Sequence, residues 1–176
     1  MARVALVRIE DMTPEQRAQY DRFPSNLTRG LLLTEQRLAG ALPGTANALR
    51  TSGLDAKLRE GIILRVAALS ESPFERMQHL GEAKRSGWTD ADIEAIEAGD
   101  RSGHLGAFTP VLEFVDECVA DTRVSDATFA KVASSLTPRE IATVLILVGH
   151  YMTVARFIAN LGIELDPAPS SWDKEH

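Results

Sequence analysis

The stretch that decides the fold is LREGIILRVAALSESPFERMQH, residues 58–79. Its apolar residues recur at helical spacing before Ser72 and again after it, so the stretch predicts two consecutive helices. These helices carry two carboxylates and an imidazole, which belong to Glu60, Glu75 and His79. Glu75 and His79 are four residues apart and therefore share one helical face. This stretch is the one place in the chain where the sequence assembles groups for acid/base chemistry.

Glu60 lies on the first of these helices, and the residues that follow it are almost all apolar. Such a helix draws the carboxylate towards the interior, where desolvation raises its pKa and suits it to proton transfer. A buried salt bridge to Arg59 or Arg156 would explain Glu60 without any catalysis. We therefore expect an enzyme to hold Glu60 buried, unpaired by arginine and facing a pocket, and a scaffold protein to tie it into a salt bridge.

Three helix starts share one pattern, in which a hydroxyl residue precedes proline and Glu or Gln follows two residues later. The pattern occurs at residues 13–16, 72–75 and 137–140 and is typical of a capping box. The box at 72–75 would by itself account for Glu75, and His79 would then pair with Glu75 on the same helix. Strand-like alternation occurs at Val4–Ile9, and Pro43-Gly44 predicts a turn. The predicted helices are 14–23, 30–41, 45–51, 56–70, 73–86, 90–98, 109–121, 126–135 and 138–161.

Composition excludes several classes of protein. Lys plus Arg is 19 and Asp plus Glu is 25, which gives a net charge of -6 and argues against a nucleic-acid partner. The longest apolar run, Ile141–Val148, is much too short to cross a bilayer. Cys118 is the single cysteine, so neither an intramolecular disulfide nor a CxxC pair exists. We expect a soluble, cytoplasmic protein with one domain at residues 1–165 and a flexible tail at 166–176.

A weak internal repeat relates two parts of the chain. Residues 58–66 align with residues 138–146, and both stretches continue with similar apolar content. The repeat predicts a duplicated helical hairpin. In the second copy Ala155 and Ala159 stand where the first has Glu75 and His79. The first copy would then carry the catalytic residues, and the second copy would serve only as a structural support.

Residues 58–96 resemble the carboxymuconolactone decarboxylase family, whose superfamily also contains the AhpD-type alkylhydroperoxidases. The resemblance rests on R-E-x-x-I-L-R-V-A, F-E-x-x-x-H and A-x-x-x-G-W-T-D-x-x-I, and it extends over most of residues 12–165. It implies an all-α fold, an AhpD-like helical bundle. It also implies that the chain forms a homotrimer or homohexamer, with the site near a subunit boundary.

The AhpD-type members carry a Glu and then a CxxC whose second cysteine lies four residues before a His. Glu60 and His79 match this spacing, whereas the cysteine positions hold Ser72 and Glu75. Peroxide reduction by that route needs an attacking thiolate and a second, resolving thiol, so alkylhydroperoxidase-like antioxidant activity is disfavoured. Similarity to the decarboxylase branch implies acid/base chemistry without a cofactor. The expected reaction is a decarboxylation or a related lyase or isomerase step on a small carboxylated or lactone substrate.

The predicted catalytic residues are Glu60, His79 and Glu75. We expect no metal, because one histidine and two carboxylates are a poor set of transition-metal ligands. A catalytically silent oligomeric binding or scaffold protein of the same fold is the alternative. The predicted substrate-binding residues are Arg65, Ser72, Phe74 and Trp88, and the predicted pocket walls add Leu32, Leu33 and the apolar face of residues 144–157.

Overall fold

The described part of the chain, residues 2–170 of a computed structural model, is helical throughout. It forms nine α-helices and two short 3-10 helices, at Ile9–Asp11 and Gly106–Phe108, and it contains no strand. The all-α class predicted from the sequence is confirmed. The α-helices are α1 (Pro14–Arg22), α2 (Asn26–Leu31), α3 (Gln36–Arg50), α4 (Ala56–Leu69), α5 (Pro73–Arg85), α6 (Asp90–Ala98), α7 (Thr109–Ala120), α8 (Asp126–Ala133) and α9 (Pro138–Leu161).

Local signals in the sequence set several helix ends. Thr13 and Thr137 each form the predicted capping box, in which the side chains and backbone amides bond reciprocally. Thr89 forms a third box at the start of α6. Gly99 ends α6 in the left-handed conformation that favours glycine.

Two expectations for the amino-terminal third are wrong. Val4–Ile9 forms no strand, because the described residues offer no neighbouring strand with which it can pair. The predicted helices 30–41 and 45–51 are replaced by α2, which Ser25 caps, and by α3, which runs through Pro43 without a turn. Proline removes one helical hydrogen bond, but α3 continues on both sides of it.

Helix α4 is the centre of the bundle. Its residues from Glu60 to Ala67 are all buried, and α5, α6, α7 and α9 pack around it. A helical stretch that is apolar on nearly every side is stable only when other helices cover it on every side. The surrounding helices therefore place the polar side chains of the buried stretch, Glu60 and Arg65, in the interior.

Helix α9 combines a buried face with an exposed one. Its 24 residues are long and apolar enough to cross a membrane by length and composition, which the shorter run Ile141–Val148 had not indicated. Half of its most apolar stretch is buried in the bundle, against helices that include α4 and α3. Leu145 and Ile146 lie on the exposed face, with 46% and 58% of their surface accessible.

The two segments aligned in the repeat have different structures. Residues 58–79 form the end of α4, a turn and the start of α5, whereas residues 138–161 form one uninterrupted helix. The described chain therefore contains no duplicated hairpin at these positions.

Part of the segment predicted as a tail contacts the bundle. The Asp166 carboxylate accepts a hydrogen bond from the Asn26 amide at 2.9 Å, and the Ser170 amide donates to Gln78 Oε1 at 2.9 Å. Residues 171–176 of that predicted tail lie outside the described residues.

Candidate functional site

Glu60 and His79 meet where α4 packs against α5. Glu60 Oε2 lies 2.8 Å from His79 Nδ1, and the two residues are 3% and 8% exposed. His79 therefore reaches across to the neighbouring helix. The expectation that it pairs with Glu75 on its own helix is wrong, because the Glu75 carboxylate forms no hydrogen bond with a described residue.

Arg59 completes the surroundings of the Glu60 carboxylate. Its Nε donates to Glu60 Oε1 at 2.9 Å, and its guanidinium also donates to the backbone carbonyl of Arg50 at 3.3 Å. Burial opposes ionisation of Glu60, but the hydrogen bonds and charges of His79 and Arg59 together outweigh it and hold the pKa of Glu60 below its usual value. The prediction that burial raises this pKa is wrong, and the arginine pairing expected of a scaffold is present.

This pairing fixes how His79 is used. An ionised Glu60 accepts a hydrogen bond from Nδ1–H, so the neutral imidazole keeps its lone pair on Nε2. A buried carboxylate that orients an imidazole in this way selects its tautomer without exchanging a proton itself. Glu60 is thus suited to positioning His79, and His79 Nε2 is the atom suited to accepting a proton.

Glu75 lies on α5 one turn before His79 and is 1% exposed. Neither of its carboxyl oxygens has a hydrogen-bond partner among the described residues, and the same holds for the hydroxyl of Ser72. Burial raises the pKa of Glu75 to about 8; the nearby Ser72 hydroxyl opposes this shift without forming a hydrogen bond of normal geometry. Glu75 is therefore a neutral acid at neutral pH.

The capping box predicted at residues 72–75 does not form. The Ser72 side chain makes no cap hydrogen bond, and its backbone amide donates to the Ala67 carbonyl at 2.8 Å. That amide is consequently not available to the Glu75 carboxylate, which a capping box requires. Helix capping does not explain why the chain carries Glu75 at this buried position.

Tyr151 brings α9 into the same cluster. Its ring meets the His79 ring edge-on, with centroids 5.0 Å apart and an angle of 88° between the planes. His150 meets the Tyr151 ring in the same manner, at 5.0 Å and 89°. Burial and the charges of Glu60 and Glu75 raise the pKa of Tyr151, so its hydroxyl stays protonated. Burial, followed by the charge of His79, lowers the pKa of His150 to about 4.

The sequence analysis did not predict that His150 and Tyr151 contact the cluster. Both side chains are buried. The signal in the sequence was a polar pair, His150-Tyr151, on an otherwise apolar helix. Nothing in helical periodicity indicates which distant element such a pair meets, because that depends on how α9 packs on α5.

Two predicted substrate-binding residues have structural contacts elsewhere. Arg65 bonds to Asp116 at 2.6 Å and to the carbonyls of Ile96 and Glu97 at 3.3 and 2.8 Å, so it links α4 to α6 and α7. The indole of Trp88 donates to a backbone carbonyl of α4 at 2.8 Å and packs edge-on against another aromatic ring. Within the described chain, neither side chain forms a hydrogen bond or an ion pair with Glu60 or His79.

Phe74, Leu32 and Leu33 also lie apart from the cluster, whereas Tyr151, within the predicted wall at residues 144–157, contacts it. Phe74 packs with residues of α9 in one apolar cluster, and Leu32 is buried in another apolar cluster. Leu33 is exposed. Of the predicted substrate-binding residues, Ser72 is the one that the structure brings next to a predicted catalytic side chain, namely Glu75.

Two surface cavities lie away from these residues. One of about 530 Å³ and one of about 560 Å³ lie around α7, α8 and α9, and their walls contain no member of the cluster. The unpartnered buried oxygens of Glu75 point to a ligand more directly than an open surface depression does, so the cluster around His79 is the candidate site. His79 and Tyr151 are each 8% exposed, so the cluster approaches the surface at that end.

Metal and thiol chemistry have little support in the described residues. No group of three His, Cys, Asp or Glu side chains there is arranged to hold a metal ion. Cys118 is half-buried, and burial together with the charge of Glu117 raises the pKa of its thiol to about 11. A reactive cysteine has a lowered pKa, so this thiol is in the wrong environment for attack on a peroxide.

Comparisons with known proteins agree with this fold. Residues 36–108 match the carboxymuconolactone decarboxylase family, and this match includes Glu60, Glu75 and His79. A comparison with curated proteins gave no match.

Three solved structures share the fold at low sequence identity. A peroxidase-related protein from Ralstonia eutropha JMP134, described as an alkylhydroperoxidase AhpD core, aligns with a TM-score of 0.78 and 14% identity over 94% of this chain and 93% of its own. A peroxidase-related protein from Silicibacter sp. TM1040 gives 0.78 and 15%, over 94% and 92%. A protein of unknown function from Agrobacterium tumefaciens, linked by its description to the antioxidant defence protein AhpD, gives 0.67 and 20%, over 72% and 89%. Residues 36–108 are thus similar to the carboxymuconolactone decarboxylase family, and the overall fold of the chain is AhpD-like.

Proposed function

We propose that the protein is a cofactor-free acid/base enzyme that carries out a decarboxylation or a related lyase or isomerase step on a small carboxylated or lactone substrate. One observation carries the proposal. Two buried carboxyls beside one imidazole are held in opposite protonation states, because the pKa of Glu60 is lowered and that of Glu75 is raised to about 8. Environments that shift the pKa values of two neighbouring titratable groups in opposite directions suit one group to act as a base and the other as an acid.

Each residue then has one role. Glu60 is a positioning residue, since its carboxylate holds His79 Nδ1–H at 2.8 Å. His79 carries the proton through Nε2. Glu75 presents a neutral O–H that donates to a substrate oxygen. General acid/base catalysis by such groups contributes about 10²- to 10⁴-fold to a rate.

A catalytically silent oligomeric binding or scaffold protein is the second candidate, and one observation favours it. Arg59 pairs with Glu60 at 2.9 Å, which is the salt bridge expected of a structural carboxylate. The orphaned oxygens of Glu75 favour the enzyme, because a structural role would leave them no reason to be buried without partners. An antioxidant activity like that suggested by the descriptions of the AhpD-related neighbours has weaker support, since the single thiol of Cys118 has a pKa of about 11.

Release of carbon dioxide tests the proposal. The probes are γ-carboxymuconolactone and a panel of small carboxylated lactones, assayed without thiols or added metals. We expect release by the wild type and a fall of about 10²-fold or more for Glu60→Gln and for Glu75→Gln. Glu94→Gln is the matched control, because Glu94 is exposed on α6.

Two outcomes would contradict the proposal. Release that persists unchanged in Glu60→Gln and Glu75→Gln would remove these carboxyls from the chemistry. No turnover of any compound by the wild type would favour the scaffold.

A further inference from the structure

We propose that Tyr151 and Glu75 together form a hydrogen-bonding site for an enolate oxygen, so that Tyr151 is a further catalytic residue and the substrate carries a carbonyl group conjugated to the bond that breaks. This inference rests on the proposed function and names the chemical class of its substrate. Neither the sequence analysis nor the relatives assign a role to Tyr151.

The two donors come from different helices and meet at one imidazole. Tyr151 on α9 packs its ring edge-on against His79, and Glu75 lies one helical turn before His79 on α5. Burial raises the pKa of Tyr151, and the charges of Glu60 and Glu75 add to this shift. Among the described residues, neither carboxyl oxygen of Glu75 has a hydrogen-bond partner.

Both groups are uncharged donors at neutral pH. Burial raises the pKa of Glu75 to about 8 and, with the neighbouring carboxyl charges, raises that of Tyr151 as well. Fixed neutral donors bind an oxygen more strongly as negative charge develops on it, so they stabilise the transition state more than the ground-state carbonyl. An enolate oxygen is the group on which such charge develops.

The two arginines of α4 are already engaged. Arg59 donates to Glu60 and to the Arg50 carbonyl, and Arg65 is bonded to Asp116 and to two carbonyls of α6. A guanidinium is the usual partner of a carboxylate. Because both are occupied, the geometry favours recognition of the substrate through its carbonyl oxygen.

The decarboxylation balances with these groups. The bond between the substrate carbon and its carboxylate breaks and carbon dioxide leaves. The electron pair of that bond moves into the conjugated carbonyl group and forms the enolate, whose oxygen accepts hydrogen bonds from Tyr151 and Glu75. One proton, taken up from solvent through His79 Nε2, then adds to the carbon and restores the carbonyl. The substrate thus exchanges carbon dioxide for one proton, with no oxidant or reductant.

Binding of an enolate mimic tests the inference without turnover. The probe is 4-nitrophenolate, a planar oxyanion with a visible absorption band, and its methyl ether, 4-nitroanisole, is the uncharged control. We expect the wild type to bind the phenolate about tenfold or more tightly than the ether. Tyr151→Phe keeps the ring against His79 and removes only the hydroxyl, so it should abolish most of this preference. Tyr20→Phe, at the other tyrosine of the chain, should leave it unchanged.

Two further measurements separate catalysis from packing. The NMR resonances of the His79 ring should show the same Nδ1–H tautomer in Tyr151→Phe as in the wild type. The kcat for carbon dioxide release should nevertheless fall about 10²-fold, with a smaller change in KM. Unchanged phenolate preference, or an unchanged kcat, in Tyr151→Phe would overturn the inference. Equal affinity of the wild type for the ether and the phenolate would also overturn the inference. The carbon dioxide assay would still test the proposed function independently.

Discussion

Replacing Glu75 by glutamine substitutes a neutral amide of nearly the same size for a buried carboxyl, so the change isolates the effect of ionisation on stability. Burial raises the pKa of this group from its ordinary value of 4.5 to about 8 in the folded protein. Below about pH 4.5 it is protonated in both states, and between about pH 4.5 and 8 it ionises in the unfolded chain alone. The unfolded state then binds fewer protons than the folded one, so stability falls as pH rises through this window.

The magnitude follows from the width of the window. Each pH unit between the two pKa values lowers the free energy of unfolding by about 1.4 kcal/mol. The wild type should therefore lose about 3 kcal/mol through Glu75 between about pH 4.5 and 7, and about 5 kcal/mol by about pH 8, beyond which the loss is complete. Glu75→Gln lacks this loss. The contribution of Glu60, whose lowered pKa acts in the opposite direction at acidic pH, is common to both proteins and cancels in their difference.

Urea unfolding followed by far-ultraviolet circular dichroism at a series of pH values measures that difference. The free energy of unfolding of Glu75→Gln minus that of the wild type should rise steadily with pH across the window and level off above about pH 8. The same difference for the exposed control Glu94→Gln should stay flat. A flat difference for Glu75→Gln as well would refute the reasoning, because it would mean that the folded protein does not keep this carboxyl protonated.

Three further predictions concern other parts of the chain. Arg65→Met should lower the free energy of unfolding by about 2 kcal/mol or more in urea titrations, because it removes the ion pair with Asp116 and the hydrogen bonds to two carbonyls of α6, although Asp116 keeps its contact with Arg101; a change near zero would contradict this. Cys118→Ser should leave carbon dioxide release unaltered, and neither wild type nor variant should consume peroxide faster than buffer containing a thiol, since the thiol pKa is about 11. We still predict a homotrimer or homohexamer, and Ile146→Glu on the exposed face of α9 should lower the mass measured by light scattering; a wild type that is already monomeric would contradict it.

The sequence predicted the parts of the fold that local chemistry decides. The boxes at Thr13 and Thr137 formed as expected because each threonine amide and hydroxyl was available to its partner three residues later. The same pattern at Ser72 failed because the Ser72 amide is bonded to the Ala67 carbonyl across the turn between α4 and α5. That bond depends on how the two helices are joined, which the four residues of the pattern do not encode.

The sequence placed Glu60, Glu75 and His79 on two neighbouring helices, but it did not predict their electrostatics. A raised pKa was expected for Glu60, whereas the structure lowers the pKa of Glu60 and raises that of Glu75. Glu60 has polar partners and a lowered pKa, whereas Glu75 is buried without a hydrogen-bond partner among the described residues and has a raised pKa. Burial alone was the basis of the expectation for Glu60, and burial raises a carboxyl pKa only when no cation or hydrogen-bond donor offsets it.

Glu75 also bears on the choice between enzyme and scaffold. A buried carboxyl without hydrogen-bond partners destabilises the folded state at neutral pH, by about 3 kcal/mol on the linkage argument above. Glu60 is paired with both Arg59 and His79, so its burial needs no catalytic explanation and would suit either an enzyme or a scaffold. A scaffold gains nothing from Glu75, since an apolar residue of similar size would fill the same space without the pH-dependent loss. An enzyme that needs a neutral acid close to an imidazole gains an O–H donor from Glu75. A residue that lowers the stability of the fold but takes part in the reaction is expected in an active site.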